Sequence, residues 1–183
     1  MAFNIAKAFE EFCKILRFSS ENQNKIIDRY HRITKRINID YWGSDSDCNH
    51  SLYVGSYGRD TEIFTSDIDI LVQLPYSTYK RFNSYNTNGQ SALLQEVKKT
   101  IEKTYSVTRL KADGQIISVP FFDGINFEIL PAFLNDDDRS YTFANSNNGG
   151  SWNLTDPKGE ILAIQNMNKK CNSNLKRLCK MAR

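Results

Sequence analysis

Two aspartates separated by one residue, Asp67 and Asp69, are the side chains of this sequence best suited to chemistry. They lie in a run of β-branched and apolar residues, 65–74, which ends at Pro75 and predicts a strand. Because alternate side chains of a strand point to one face, the two carboxylates would lie side by side and repel each other. A divalent cation between them would relieve that repulsion, and oxygen ligands favour Mg²⁺ or Mn²⁺. The alternative is an exposed edge strand on which both acids are solvated.

A third acid, Glu128, lies in a later predicted strand, 125–131. Ile125, Phe127 and Ile129 form the apolar face of that strand, so Glu128 points away from it. A single acid opposite a core face is usually just solvated. On a strand beside the two aspartates, however, it would complete a two-metal site, which holds the attacking and leaving oxygens of phosphoryl or nucleotidyl transfer.

A glycine-serine pair, Gly55-Ser56, directly follows a short predicted strand over 51–54. A strand that ends in such a pair before a helix offers free backbone N–H groups and a hydroxyl to a phosphate. The pair is a weak signal by itself. Its place shortly before Asp67 and Asp69 puts a candidate phosphate site beside the candidate metal site.

The elements that must position these residues follow from the spacing of the apolar side chains. The predicted helices run from Ile5 to about Phe18, from Ser20 to about Ile39 and over 93–101, and the remaining strands cover 105–111 and 115–121. Ser20 and Gln23 have the spacing of a capping box at the start of the second helix, and residues 112–114 have the composition of a hairpin turn. This order of helices and strands predicts an α/β (α+β) chain with a sheet of mixed direction.

The composition is that of one folded, water-soluble protein. The 183 residues are 40% hydrophobic and 25% charged, which argues against disordered, collagen-like and disulfide-scaffold classes. A net charge of +3 makes no strong case for duplex nucleic acid, and no apolar run of about 18 residues is present to span a membrane. The four cysteines include no Cys-x-x-Cys pair, which favours reduced thiols and a cytoplasmic location.

Residues 54–63, Val-Gly-Ser-Tyr-Gly-Arg-Asp-Thr-Glu-Ile, followed by Ser-Asp-Ile-Asp-Ile at 66–70, resemble the signature of a known family. That family is the CD-NTases, the bacterial relatives of cyclic GMP–AMP synthase within the DNA polymerase β nucleotidyltransferase superfamily. Further resemblance runs through 128–133, 149–152, 155–157 and 175–183. The resemblance implies a polymerase-β-like core with a mixed sheet and flanking helices over 1–160, including N-terminal spine helices. Residues 161–183 would begin a C-terminal helical lobe, most of which this chain would lack.

The resemblance also implies roles for individual residues. Asp67, Asp69 and Glu128 would bind two Mg²⁺ (or Mn²⁺) ions and carry the catalysis, and Glu128 would help to deprotonate the acceptor ribose hydroxyl. Many members of the family have Asp where this sequence has Glu128.

The NTP substrate would have its own set of ligands. The residues that the resemblance assigns to its triphosphate are Gly55, Ser56, Lys180 and Arg183. For Lys180 and Arg183, a solvated surface position is the open alternative.

The implied activity is synthesis of a cyclic di- or oligonucleotide second messenger from NTPs with release of pyrophosphate, in bacterial anti-phage signalling. A downstream effector would bind the product. Two alternatives stay open: a truncated or non-catalytic nucleotide-binding module, and another polymerase-β-type nucleotidyltransferase that acts on RNA or on an antibiotic. The string over 57–63 and the helix over 175–183 argue against the second alternative.

Overall fold

The computed structural model describes residues 4–65 and 67–183, with Ala6 described by its backbone only. The helices are α1 (Ile5–Ile15), α2 (Ser20–Ile37), α3 (Gly55–Gly58), α4 (Tyr76–Asn83), α5 (Gly89–Glu102), α6 (Pro157–Lys170) and α7 (Leu175–Met181). The strands are β1 (Ser51–Tyr53), β2 (Ile68–Gln73), β3 (Lys111–Asp113), β4 (Ile116–Pro120), β5 (Asn126–Leu134), β6 (Tyr141–Asn145) and β7 (Ser151–Thr155).

The strands form one sheet in the order β1-β2-β5-β4-β3, and β6 pairs with the end of β5 and with β7. The β2–β5 ladder is parallel, whereas the other ladders are antiparallel. The predicted α/β chain with a mixed sheet and flanking helices is therefore confirmed.

Helices α2 and α5 cover one face of this sheet. The apolar stripe of α2, spaced by four and three residues, is buried, and so is the corresponding stripe of α5. These side chains pack on inward-facing residues of β2 and β5 such as Ile70 and Ile129. A smaller apolar cluster around Leu71 lies apart from this main core.

Several predicted bounds are wrong by a few residues. The cap of α2 is Ser19, whose hydroxyl accepts from the backbone N–H of Asn22, because Ser19 is extended and Ser20 is already helical. Instead of completing a capping box, the Gln23 side chain donates to the carbonyl of Phe18. At its other end α2 continues as a π-helix, Asn38–Trp42.

The predicted strand over 105–111 is wrong except at Lys111. The Tyr105 N–H bonds the carbonyl of Ile101, and the Thr108 N–H bonds that of Tyr105, so this segment is a series of turns. Leu110 is nevertheless buried in this segment. Helix α4 and strands β6 and β7 have no counterpart among the predicted elements. Each is short, and turn-forming residues surround it.

None of the helices in the described ranges combines the length and apolar character that crossing a bilayer needs. The predicted boundary between core and C-terminal lobe, after residue 160, lies in the first turn of α6.

Candidate active site

The Gly-Ser turn is shaped by its contact with β2. Gly55 has a φ of 57°, a left-handed conformation that glycine adopts without steric cost. A Cβ atom on Gly55 would also overlap Oδ2 of Asp69. The Val54 N–H donates to the carbonyl of Asp69 at 2.9 Å, which extends the β1–β2 ladder to the start of α3. Two independent constraints therefore require glycine at position 55.

Two carboxylates face each other across the parallel β2–β5 ladder. Asp69 is the register partner of Glu128, so their side chains lie next to each other on one face of the sheet, and both line the same two cavities. The flanking residues Ile70 and Ile129 are fully buried on the opposite face, as the alternation predicts. Asp67 lies just before β2 and is exposed.

The electrostatics of this pair follow from its partial burial. Burial raises the pKa of Asp69; the N–H of Ser56 donates to that carboxylate and lowers the pKa, while the charge of Asp67 raises it. Burial, followed by the charges of Asp69 and Asp67, likewise raises the pKa of Glu128. The two aspartates thus lie close enough to oppose the ionisation of Glu128.

Two cavities meet at these carboxylates. The first, of about 370 Å³, is polar and is lined by Gly55, Ser56, Arg59, Ile63, Thr65, Asp67, Asp69, Glu128 and Arg183. The second, of about 490 Å³, is lined by Val54, Gly55, Asp69, Asp113, Gly114, Gln115, Ile116, Glu128, Leu130 and Asn147. Gly55, Asp69 and Glu128 line both, so they lie between the two cavities. We call these the phosphate-side cavity and the hairpin-side cavity.

Most of the residues predicted for the site meet at the phosphate-side cavity. Gly55, Ser56, Arg183 and the three carboxylates all line it. Lys180 does not: it is buried, and its ammonium pairs with Asp60 at 3.0 Å and Glu62 at 3.1 Å. The roles assigned to these residues stay predictions.

The hairpin-side cavity contains residues that the sequence reasoning did not single out. Its outer wall comes from two tied turns, because the Ser146 N–H and hydroxyl both donate to the carbonyl of Gly114, at 2.7 and 3.0 Å. Gln115 and Asn147 extend exposed amides from these turns. The sequence predicts the turn at Asp113-Gly114, which forms one wall of this cavity. No local pattern predicts that Asn147 lies beside that turn.

The donor set suits a hard divalent cation. The described residues contain no preformed group of three or more His, Cys, Asp or Glu side chains at metal-binding geometry. Three carboxylates nevertheless line one cavity, and the charges of Asp69 and Asp67 raise the pKa of Glu128. Such an all-oxygen set of neighbouring carboxylates fits Mg²⁺ or Mn²⁺.

The family model of the Second Messenger Oligonucleotide or Dinucleotide Synthetase domain matches residues 3–168, which is most of the chain. The chain belongs to this family. The predicted membership of the CD-NTases is thereby confirmed.

Solved CD-NTase structures share the fold of this chain. The Elizabethkingia meningoseptica CdnE cyclic dinucleotide synthase with GTP and Apcpp is similar with a TM-score of 0.65 and 14% identity, over 98% of this chain and 64% of its own. Bradyrhizobium diazoefficiens CdnG in complex with GTP gives a TM-score of 0.65 and 13% identity, over 84% of this chain and 44% of its own.

Escherichia coli MS115-1 CdnC with ATP gives a TM-score of 0.64 and 14% identity, over 96% of this chain and 55% of its own. This CD-NTase chain therefore spans about half to two thirds of the length of these structures. No curated protein matches the chain in sequence.

Proposed function

We propose that this chain carries the catalytic core of a metal-dependent nucleotidyltransferase that makes a cyclic di- or oligonucleotide from NTPs and releases pyrophosphate. The observation that carries the proposal is the register pairing of Asp69 with Glu128, directly against the Gly55-Ser56 turn. Membership of a synthetase family supports the same chemistry.

The phosphate-side cavity would hold the triphosphate of the donor NTP. Ser56 lines this cavity and would donate its hydroxyl to a phosphate oxygen. Arg183 would add a guanidinium, which suits phosphate recognition by paired N–H donors. Arg59 also lines this cavity but is bound to Glu160 at 2.8 Å, which places it second to Arg183 as a ligand.

Asp67, Asp69 and Glu128 would hold the divalent cations, as the donor set allows. Bound there, such ions would stabilise the negative charge that develops on the attacking and leaving oxygens. Glu128 lies between the two cavities, where it would orient an acceptor hydroxyl from one side toward the α-phosphorus on the other.

The hairpin-side cavity would hold the acceptor nucleoside. Val54, Ile116 and Leu130 give it an apolar floor on which a base can lie. The amides of Gln115 and Asn147 present donors and acceptors at its rim, and such groups can read the edge of a base. Transfer between two nucleotides needs two binding sites that meet at the catalytic groups, and the two cavities meet at Asp69 and Glu128.

The setting that we propose is cytoplasmic signalling in bacterial anti-phage defence, with a downstream effector for the product. All four cysteines are unpaired, which supports a reducing compartment. Family membership supports the signalling role.

The test is to incubate the chain with labelled NTPs and Mg²⁺ or Mn²⁺, beside Asp67→Asn/Asp69→Asn and the matched surface control Asp136→Asn. Phosphatase-resistant product from the wild type and from Asp136→Asn, with none from the double variant, is the expected result. Binding of α,β-methylene-ATP with Mn²⁺ is measured in parallel by calorimetry. The proposal fails if the wild type yields neither product nor heat of binding.

A further inference from the structure

The segment that follows the Gly-Ser turn is fastened to the C-terminal helices by ion pairs. Arg59 pairs with Glu160 of α6 at 2.8 Å. Asp60 pairs with Lys176 at 3.3 Å and with Lys180 at 3.0 Å, both on α7. This segment connects Ser56 to Asp67 and Asp69, so α7 is tied to the region that shapes the phosphate-side cavity.

Lys180 is the buried centre of these contacts. Its side chain is 7% exposed and lies between Asp60, at 64%, and Glu62, at 14%. The Oε2 atom of Glu62 is buried and has no hydrogen-bond partner among the residues that the structure describes. The ammonium of Lys180 is therefore the main compensation for the Glu62 charge, and removal of one partner of a buried pair is strongly unfavourable.

The backbone between the acids is held in an unusual conformation. Asp60 has a φ of 56°, in the left-handed region that non-glycine residues seldom adopt. The next residue, Thr61, is buried and donates its N–H to the carbonyl of Ser56 at 2.9 Å. A shift of Asp60 would thus move Thr61 and, through that hydrogen bond, Ser56.

The Ser56 peptide in turn lies beside a carboxylate. Its carbonyl accepts from the Thr61 N–H, and the Asp69 carboxylate lies directly against the neighbouring Gly55. A continuous set of contacts therefore runs from Lys180 through Asp60 and Thr61 to Ser56 and Asp69.

We propose that Lys180 is a positioning residue, which holds Asp60 and Glu62 so that the Gly55-Ser56 turn keeps its shape, and that it is not a ligand of the substrate triphosphate. This inference rests on the proposed nucleotidyltransferase function for its meaning in catalysis. The control of the Gly55-Ser56 turn by α7 does not depend on that function and can be measured without nucleotide.

The first measurement is amide hydrogen exchange of residues 55–65 in the nucleotide-free chain. Lys180→Met is compared with Lys176→Met, a neighbouring lysine on the same helix that pairs with Asp60 alone. We expect exchange in this segment to rise about tenfold in Lys180→Met and by less than about threefold in Lys176→Met, since only the first removes a buried partner. Lys180→Arg restores the charge and should return exchange to within about threefold of the wild type. Unchanged exchange in Lys180→Met overturns the proposal.

The second measurement is the Kd of α,β-methylene-ATP with Mn²⁺ for Lys180→Met, for Asp60→Asn/Glu62→Gln and for the variant that combines all three substitutions. A positioning role predicts that each set weakens binding by about tenfold and that the combined variant is no weaker, because all act through one contact set. A phosphate ligand would behave differently: removal of the acids would free Lys180 and tighten binding, while Lys180→Met would weaken it. That outcome overturns the proposal.

The two measurements also separate this inference from the proposed function. A wild-type chain that binds no nucleotide contradicts the nucleotidyltransferase proposal, while the exchange result still decides whether Lys180 controls the turn. Thermal unfolding of each variant completes the comparison. A Kd that stays at the wild-type value in a Lys180→Met chain of lowered stability would assign Lys180 to stability alone and overturn the proposal.

Discussion

Gly55 lies so close to Asp69 that a β-carbon at position 55 would overlap the carboxylate of Asp69. Gly55→Ala should therefore displace Asp69 and weaken Mn²⁺ binding, measured by electron paramagnetic resonance, by about tenfold or more. The left-handed φ adds about 1 kcal/mol of lost stability.

Gly43→Ala is the matched control for that substitution. Gly43 has a similar φ of 63° but open space around its missing Cβ. It should lose a comparable amount of stability, measured by urea unfolding, and keep full Mn²⁺ affinity. Equal loss of Mn²⁺ binding in both variants would mean that backbone strain, and not the overlap with Asp69, is responsible.

Removal of one carboxylate should stabilise the metal-free chain while it abolishes activity. Asp69→Asn keeps an acceptor for the Ser56 N–H but removes a partly buried charge that opposes Glu128. We expect the free energy of unfolding in EDTA to rise by about 1 kcal/mol and product formation to fall by about 10³-fold. Urea unfolding beside Asp136→Asn checks the first part, and a stability below that of the wild type would contradict it.

The pair between Arg29 and Asp123 should make stability depend on pH at the acid end. The Arg29 guanidinium donates to Asp123 at 2.7 and 3.0 Å and holds the pKa of that carboxyl below its usual value. A depressed folded pKa contributes stability above the unfolded pKa, and this contribution is lost as the pH falls.

Asp123→Asn should therefore cost about 1 kcal/mol at pH 7, and the difference from the wild type should shrink below about pH 4. Urea unfolding at both pH values is the measurement. A difference that stays constant down to pH 3 would show that the pair acts through packing and not through charge.

A bulky residue in the hairpin-side cavity should impair use of the acceptor nucleotide and leave binding of the donor nucleotide unchanged. Gln115 is exposed on the turn before β4, so Gln115→Trp should fold normally and occupy part of that cavity. We expect product formation to fall by about tenfold, whereas the Kd of α,β-methylene-ATP on the phosphate side stays within about twofold. Weaker binding of the analogue, with product formation unchanged, would place the donor on the hairpin side instead.

The carboxylate site was predictable because strand periodicity is a local property. Alternation alone placed Glu128 opposite the core residues Phe127 and Ile129, and the structure confirms that arrangement. The Gly55-Ser56 turn was predictable for a similar reason, since a strand ending in glycine marks a change of direction. Residue type and local spacing were sufficient for the orientation of these side chains, whereas the pairing of Asp69 with Glu128 joins two strands that are distant in the sequence.

The position of Lys180 was not predictable from local spacing. The family resemblance assigns Lys180 and Arg183 to the triphosphate, with a solvated surface position as the alternative. In the structure Lys180 pairs with Asp60, which lies 120 residues away in the sequence, and no periodicity encodes such a contact. Strands β6 and β7 escaped prediction for a related reason, because β6 depends on pairing with the end of β5 more than on its own composition.

The parallel β2–β5 ladder has a mechanical consequence for the site. In the part of the chain that the structure describes, this ladder joins the β1–β2 pair to the other five strands. Asp69 and Glu128 lie on opposite sides of that seam. If the two halves of the sheet move apart, the two carboxylates separate before either half needs to unfold. The geometry of the site therefore depends on an intact β2–β5 ladder.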